Sequence, residues 1–175
     1  MAQTSKWNID PHHSEVQFKV KHLMLANLSG TFKTFNGEVE SENEDFTNAV
    51  VNFKLDASSV DTYHEVRDVH LRSADFLDAE QFPEILFNGS LQKQNGKYAL
   101  QGQLTLRGVK KNLTMDVDYN GIGKGRHGDI RAGFEASVKI NRKDFGISFG
   151  LLTETGSMVV GEEIKLHFDI ELIKQ

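Results

Sequence analysis

Apolar and polar residues alternate along most of this chain with a period of two. Val16, Phe18, Val20 and His22 interleave with Glu15, Gln17, Lys19 and Lys21. The same beat runs through Val109, Leu113, Met115, Val117 and Tyr119, through Ile130, Ala132, Phe134, Ala136, Val138 and Ile140, and through Ile164, Leu166, Phe168, Ile170 and Leu172. Side chains of a strand point alternately to its two faces, so this is the pattern of half-buried β-strands. Strands are expected over 6–9 with 14–23, 28–41, 47–56, 84–93, 97–106, 108–120, 128–141 and 158–174. They are longer than the usual five or six residues, as tilted barrel staves are. Asn95-Gly96 and Arg107-Gly108 supply tight turns, and Gly121 to Gly128 a longer hairpin loop. The expected fold is all-β: one eight-stranded antiparallel lipocalin-like barrel over residues 1–175.

Residues 61–82 break the beat. Thr62 with Glu65 forms a capping-box pattern, and Tyr63, Val66 and His70 fall on one helical stripe. Phe76 and Phe82 look like anchors of a further turn before Pro83. The segment is expected to be a short helical insertion packed over a mouth or flank of the barrel.

Composition narrows the chemistry. The chain has 175 residues, 26% charged, with a formal net charge of -5. That acidity argues against a nucleic-acid partner, whose phosphates need a basic face. No basic amphipathic helix or long apolar run offers a route to membrane insertion. There are no cysteines, which removes disulfides, thiolate nucleophiles and cysteine–zinc sites. The start MAQTSKWNID shows no secretion leader, so a cytoplasmic location is expected, or a periplasmic or secreted one if a leader has been removed.

No catalytic or metal-binding constellation emerges, and no cofactor is called for. Gly121, Gly123 and Gly125 precede a strand, whereas a phosphate loop needs a following helix N-terminus. His12 and His13 point to opposite faces of extended chain, and His64 and His70 are six apart, wrong for one helix face. No G-x-S-x-G elbow is present.

Several stretches together resemble the YceI-like, polyisoprenoid-binding family. They include Trp7-Asn-Ile-Asp10, His13-Ser14, Lys21-His22, Gly30-Thr-Phe32, Phe35-Asn-Gly37, Arg67-Asp68-Val-His70-Leu71 and Asp75-Phe76-Leu-Asp78. Phe82-Pro83, Gly102-Gln-Leu104-Thr105-Leu106-Arg-Gly108, Asn141-Arg142-Lys-Asp144-Phe145-Gly146 and Val160-Gly161-Glu162-Glu163 complete the set. The resemblance implies a lipocalin-like barrel around an elongated apolar cavity for an isoprenoid or other long-chain lipid, no covalent chemistry, and pairing of many members as homodimers. Inward residues expected against the tail are Phe18, Val20, Phe32, Phe53, Phe87, Leu104, Met115, Phe134 and Phe168. His22, Arg67, His70 and Arg72 are the expected head-group contacts. Two alternatives stay open: an enzyme using the barrel as a reaction chamber, and a filled barrel acting through its surface.

Overall fold

The structure, a computed structural model, describes residues 3–150 and 159–175. In chain order its elements are β1 (Ser5–Ile9), β2 (Glu15–His22), β3 (Ala26–Phe32), β4 (Phe35–Ser41), β5 (Val50–Asp56), β6 (Val60–Asp61), α1 (Glu65–Arg72), β7 (Glu84–Gln94), β8 (Lys97–Leu106), β9 (Val109–Lys124), β10 (Ile130–Asn141) and β11 (Val160–Lys174). Neighbours run β1-β4-β5-β7-β8-β9-β10-β11, and β11 returns to β1, so the antiparallel ring closes. β2 pairs with β11 beyond the stretch used by β1, and β3 pairs with β2 and β6. The segments β1–β2, β3–β4 and β5–β6 are thus three broken staves, which with β7 to β11 make the eight expected.

The breaks have local causes. Between β1 and β2, Pro11–His13 forms a 3-10 turn capped by Asp10, which accepts from the His12 N–H at 3.0 Å. Pro11 has no amide proton to give a ladder. The expected strand 28–41 is interrupted at Lys33 and Thr34. There the Lys33 N–H donates to the Ser59 carbonyl (3.2 Å) and the Thr34 carbonyl accepts from the Asp56 N–H (2.9 Å), as the stave passes from β6 to β5. β9 runs on to Lys124, beyond its expected end at 120, so Gly121 and Gly123 lie in a strand and the loop is 125–129. Met158, the first residue of the expected last strand, lies outside the described residues. Asn95 and Gly96 both take positive φ (53° and 78°), the type I′ geometry that matches strand twist.

The helix is where the periodicity misleads. α1 does not lay Tyr63, Val66 and His70 on the barrel: Tyr63 is 86% and Val66 76% exposed, and His70 is exposed too. It buries Asp68 instead (3% exposed), whose carboxylate accepts from the Thr62 N–H at 3.0 Å and from the Thr62 hydroxyl. The N-cap is His64, whose Nδ1 accepts from the Arg67 N–H, so the capping box on Thr62 does not form. A buried carboxylate that accepts two hydrogen bonds can outweigh the preference of an eight-residue helix for its apolar face.

The outer face of the barrel carries charge in rows. Lys139, Lys165 and Lys19 stand in register on β10, β11 and β2. Four residues along, Asp118, Glu135, Asp169 and Glu15 stand in register on β9, β10, β11 and β2. Like charges directly opposite oppose pairing. Lys165→Glu should therefore raise the melting temperature, by about 1–3 °C; an unchanged or lower value in a thermal melt would contradict the register.

Asp10 locks the closing seam. It is held by His13 Nδ1 and by Arg131 Nη1, each 2.7 Å from its Oδ2. Burial raises the carboxyl pKa, but the bonds from His13, Arg131 and the His12 amide outweigh it and bring it down to about 2. A depressed carboxyl stabilises the fold above its unfolded pKa near 4, and that contribution is lost as pH falls through about 2. Asp10→Asn should cost about 2 kcal/mol at neutral pH, with the gap to the parent closing between about pH 4 and pH 2 in chemical denaturation.

Candidate functional site

The inward faces of the staves enclose an apolar interior divided in two. The upper chamber, at the end carrying the 42–49 loop, is walled by Val39, Phe46, Leu91, Leu100, Met115 and Phe134 among others, with about 670 Å³ of unfilled space counted out to its open edges. The lower chamber, at the α1 end, is walled by Phe18, Val20, Phe32, Leu71, Phe76 and Leu104 among others, with about 930 Å³ on the same measure. The enclosed voids themselves are small, about 90 Å³ above and about 120 Å³ below, under the range of small-molecule pockets, so side chains fill most of the interior. Neither wall presents polar surface.

Phe53, Phe87 and Phe168 line both chambers and form the neck between them. The Phe53 and Phe168 rings meet edge to face, 5.6 Å apart at 89°. Two glycines let these rings lie against the wall. A Cβ on Gly37 would come within 3.0 Å of Phe53 Cδ2 and 2.7 Å of Ile9 Cδ1; a Cβ on Gly102 would come within 2.8 Å of Phe87 Cζ.

The upper end is plugged. Phe46 sits in a left-handed conformation (φ 60°) and is wholly buried. Its ring packs on Trp7 (5.0 Å), Phe134 (5.0 Å) and Tyr119 (5.5 Å). Two tyrosine hydroxyls tie the loop down: Tyr98 donates to the Asp45 carbonyl at 2.7 Å and Tyr119 to the Glu44 carbonyl at 3.2 Å. Sequence reasoning missed this plug, although a lone Phe in the acidic stretch Glu42 to Asn48 was the available signal. At the lower end Leu71, Phe76 and Leu77 reach in from α1 and the turns after it.

All nine residues expected on the tail surround this interior: Phe18, Val20, Phe32 and Leu104 in the lower chamber, Met115 and Phe134 in the upper, and Phe53, Phe87 and Phe168 at the neck. The four head-group candidates are not gathered at one point. Arg67, His70 and Arg72 share α1, whereas His22 ends β2 beside the β2–β3 turn. Arg67 donates to the Thr62 hydroxyl and carbonyl, both at 2.8 Å, and Arg72 Nε to the Ser58 carbonyl at 2.9 Å. These bonds fasten the helix to β6 and the turn before it. His70 Nε2 lies 2.8 Å from Asp75 Oδ2.

Among the described residues lining the chambers, one is ionisable: Arg142. Its guanidinium donates to the carbonyls of Gly161 (2.9 Å), Ile147 (2.8 Å) and Val160 (3.2 Å). Burial pushes its pKa down, partly offset by the charge of Glu162. No acid–base pair stands in either chamber among the described residues. Elsewhere, Asp10, His13 and Glu171 bring three ligand-type atoms within 4.8 Å of one another. Arg131 already bridges Asp10 and Glu171 there, so the group reads as an ion-pair network around a fixed cation.

Four similarities bear on this geometry. A YceI-like domain model matches residues 7–172. A UPF0312 protein of Serratia proteamaculans is 44% identical over 176 residues, covering 99% of this chain and 88% of that one. The crystal structure of the Campylobacter jejuni YCEI protein matches with a TM-score of 0.75 at 29% identity, over 90% of this chain and 91% of that one. A structure described as a polyisoprenoid binding domain from Saccharophagus degradans has the same fold (TM-score 0.73, 13% identity, 97% of this chain and 98% of that one).

Phe46→Ala should cost about 3–5 kcal/mol in urea denaturation, as a large buried ring is lost. It should also open Trp7, the single tryptophan, to acrylamide quenching. Tyr98→Phe, which removes one latch, should cost about 1 kcal/mol.

Proposed function

The chain belongs to the YceI-like family, and on that premise we propose that its barrel takes up, and sequesters or carries, a long-chain amphipathic lipid of polyisoprenoid type, with no covalent step. The observation that carries this reading is the two-chambered interior whose walls offer hydrocarbon and nothing else. A tail gains about 0.8 kcal/mol for each methylene it buries, so ten carbons contribute about 8 kcal/mol before ordering costs. A head group gains nothing inside, because no polar wall surface receives it. With Phe46 closing the upper end, the polar end of the ligand rests at the lower mouth, between His22 and the α1 residues Arg67, His70 and Arg72.

Two observations weigh against the alternatives. A reaction chamber needs a buried group able to move a proton or attack, and the chambers show only Arg142, committed to three carbonyls. A barrel filled throughout would leave no void, and here about 90 Å³ and about 120 Å³ stay open in the two halves.

Mass spectrometry of the organic extract from freshly purified protein should show a long-chain lipid near one per chain. Repeated clean extracts, with no uptake of added prenyl alcohol, would sink the proposal. Ala136 lines the upper chamber. Ala136→Phe should weaken binding of a long prenyl chain at least about tenfold, a loss of about 1.4 kcal/mol. It should leave a short chain, held in the lower chamber, unchanged in a fluorescence displacement assay.

A further inference from the structure

The charge rows on the outside of the barrel point along its axis. Lys19, Lys139 and Lys165 are exposed, and none of them joins an ion pair with a described residue. The row of Asp118, Glu135, Asp169 and Glu15 lies about 13 Å away, four strand residues distant. The rung between them is Asp116, Ser137, His167 and Gln17. The lysine row lies on the side of the β2–β3 turn, with Lys21 the next outward residue of β2. Of the carboxylates near this end, Glu162 is taken by Lys143 at 2.7 Å, and Glu163 and Asp144 are exposed, so Lys19, Lys21, Lys139 and Lys165 outnumber the two unpaired acids.

The turn itself is apolar and exposed. Met24 is 61% and Leu25 83% exposed. Leu23 and Met24 take φ of 52° and 57°. The Leu23 N–H donates to the Val159 carbonyl at 2.9 Å, and the Leu25 N–H to the His22 carbonyl at 3.0 Å. Both ends of the turn are tied, and its two apolar side chains are held out in water.

We propose that this end of the barrel docks reversibly on an anionic phospholipid bilayer. Met24 and Leu25 enter the boundary between head groups and acyl chains, while Lys19, Lys21, Lys139 and Lys165 face the phosphates. The carboxylate row is then turned away from the membrane, which fixes the orientation. The two features need each other: an apolar wedge alone is too small, and a few lysines alone bind weakly and without direction. A second copy packed face to face could also match lysine row to carboxylate row about a two-fold axis. That packing leaves Met24 and Leu25 in water, so the bilayer is the better fit. Val20 of the lower chamber lies on β2, which carries the tip, and Val160 and Ile164 on β11 paired beside it, so docking sets that chamber over lipid. The docking surface stands whether or not the barrel holds a ligand.

Co-sedimentation with vesicles of phosphatidylcholine, and of phosphatidylcholine mixed equally with phosphatidylglycerol, tests this. The full chain should bind the mixed vesicles at least about tenfold better, and release them at about 0.5 M salt. Lys19→Glu with Lys165→Glu, and separately Met24→Ser with Leu25→Ser, should each lose that binding without a fall in melting temperature. Equal binding to both vesicles, binding to neither, or parent-like binding by the charge-reversed variant would overturn the proposal. So would a dimer in sedimentation velocity that Lys165→Glu abolishes and added Asp169→Lys restores, which would give the face to a second copy. Lipid in the organic extract is scored separately, so a loaded barrel that ignores both vesicles overturns docking and leaves carriage intact.

Discussion

Everything in this molecule depends on a short seam. β1 is five residues long, yet it pairs with β4 on one side and with the end of β11 on the other, through Trp7–Lys174, Asn8–Ile173 and Ile9–Leu172. Without that seam the sheet has two free edges and the interior has no fourth wall. The Asp10 carboxylate, its His13 and Arg131 partners and the Arg131–Glu171 contact lie where the seam ends. Charge is concentrated where pairing is scarcest, because three rungs of ladder would fray alone.

Given closure, the interior is shaped by contrast between its ends. One end is stopped by an aromatic cluster under two tyrosine latches. The other is covered by a helix turned apolar side outward, held by polar bonds among Thr62, Arg67 and Asp68. Hydrogen bonds to carbonyls can be exchanged for bonds to water more readily than a buried aromatic cluster can be opened. The α1 end thus leans more on polar bonds than the other does, with one ring cluster of its own where Phe76 packs on His70 (5.0 Å) and Phe149 (5.2 Å).

Much of the fold was legible because a half-buried strand writes its register into the sequence. Phe18 and Val20, or Phe134 and Ala136, face inward for the same reason that Lys19 and Lys139 face out. What failed were features that periodicity does not encode. Phe46 sits in a loop, where no alternation announces burial. Asp68 is inside because the Thr62 amide and hydroxyl donate to it, while Arg67 in turn holds Thr62, a three-body arrangement that a count of apolar positions reads backwards. The charge rows were also invisible, since Lys19, Lys139 and Lys165 become neighbours only once β10, β11 and β2 are laid side by side. Arg67 and Arg72 stand out in the sequence by their charge, and in the structure Arg67 is engaged by the Thr62 hydroxyl and carbonyl and Arg72 by the Ser58 carbonyl.

The neck shows that the form of the hollow is written partly in atoms that are not there. Phe53 rests over Gly37 and Phe87 over Gly102, and each ring keeps its place because the residue facing it ends at Cα. A single methyl at Gly37 would leave hydropathy and strand pattern almost untouched while moving an aromatic wall, whereas at Gly102 it would also strike the Asn88 carbonyl of the neighbouring strand. Relatives with indistinguishable polarity profiles can therefore enclose differently shaped hollows, and their preferences are better sorted by side-chain volume at these few positions than by overall likeness.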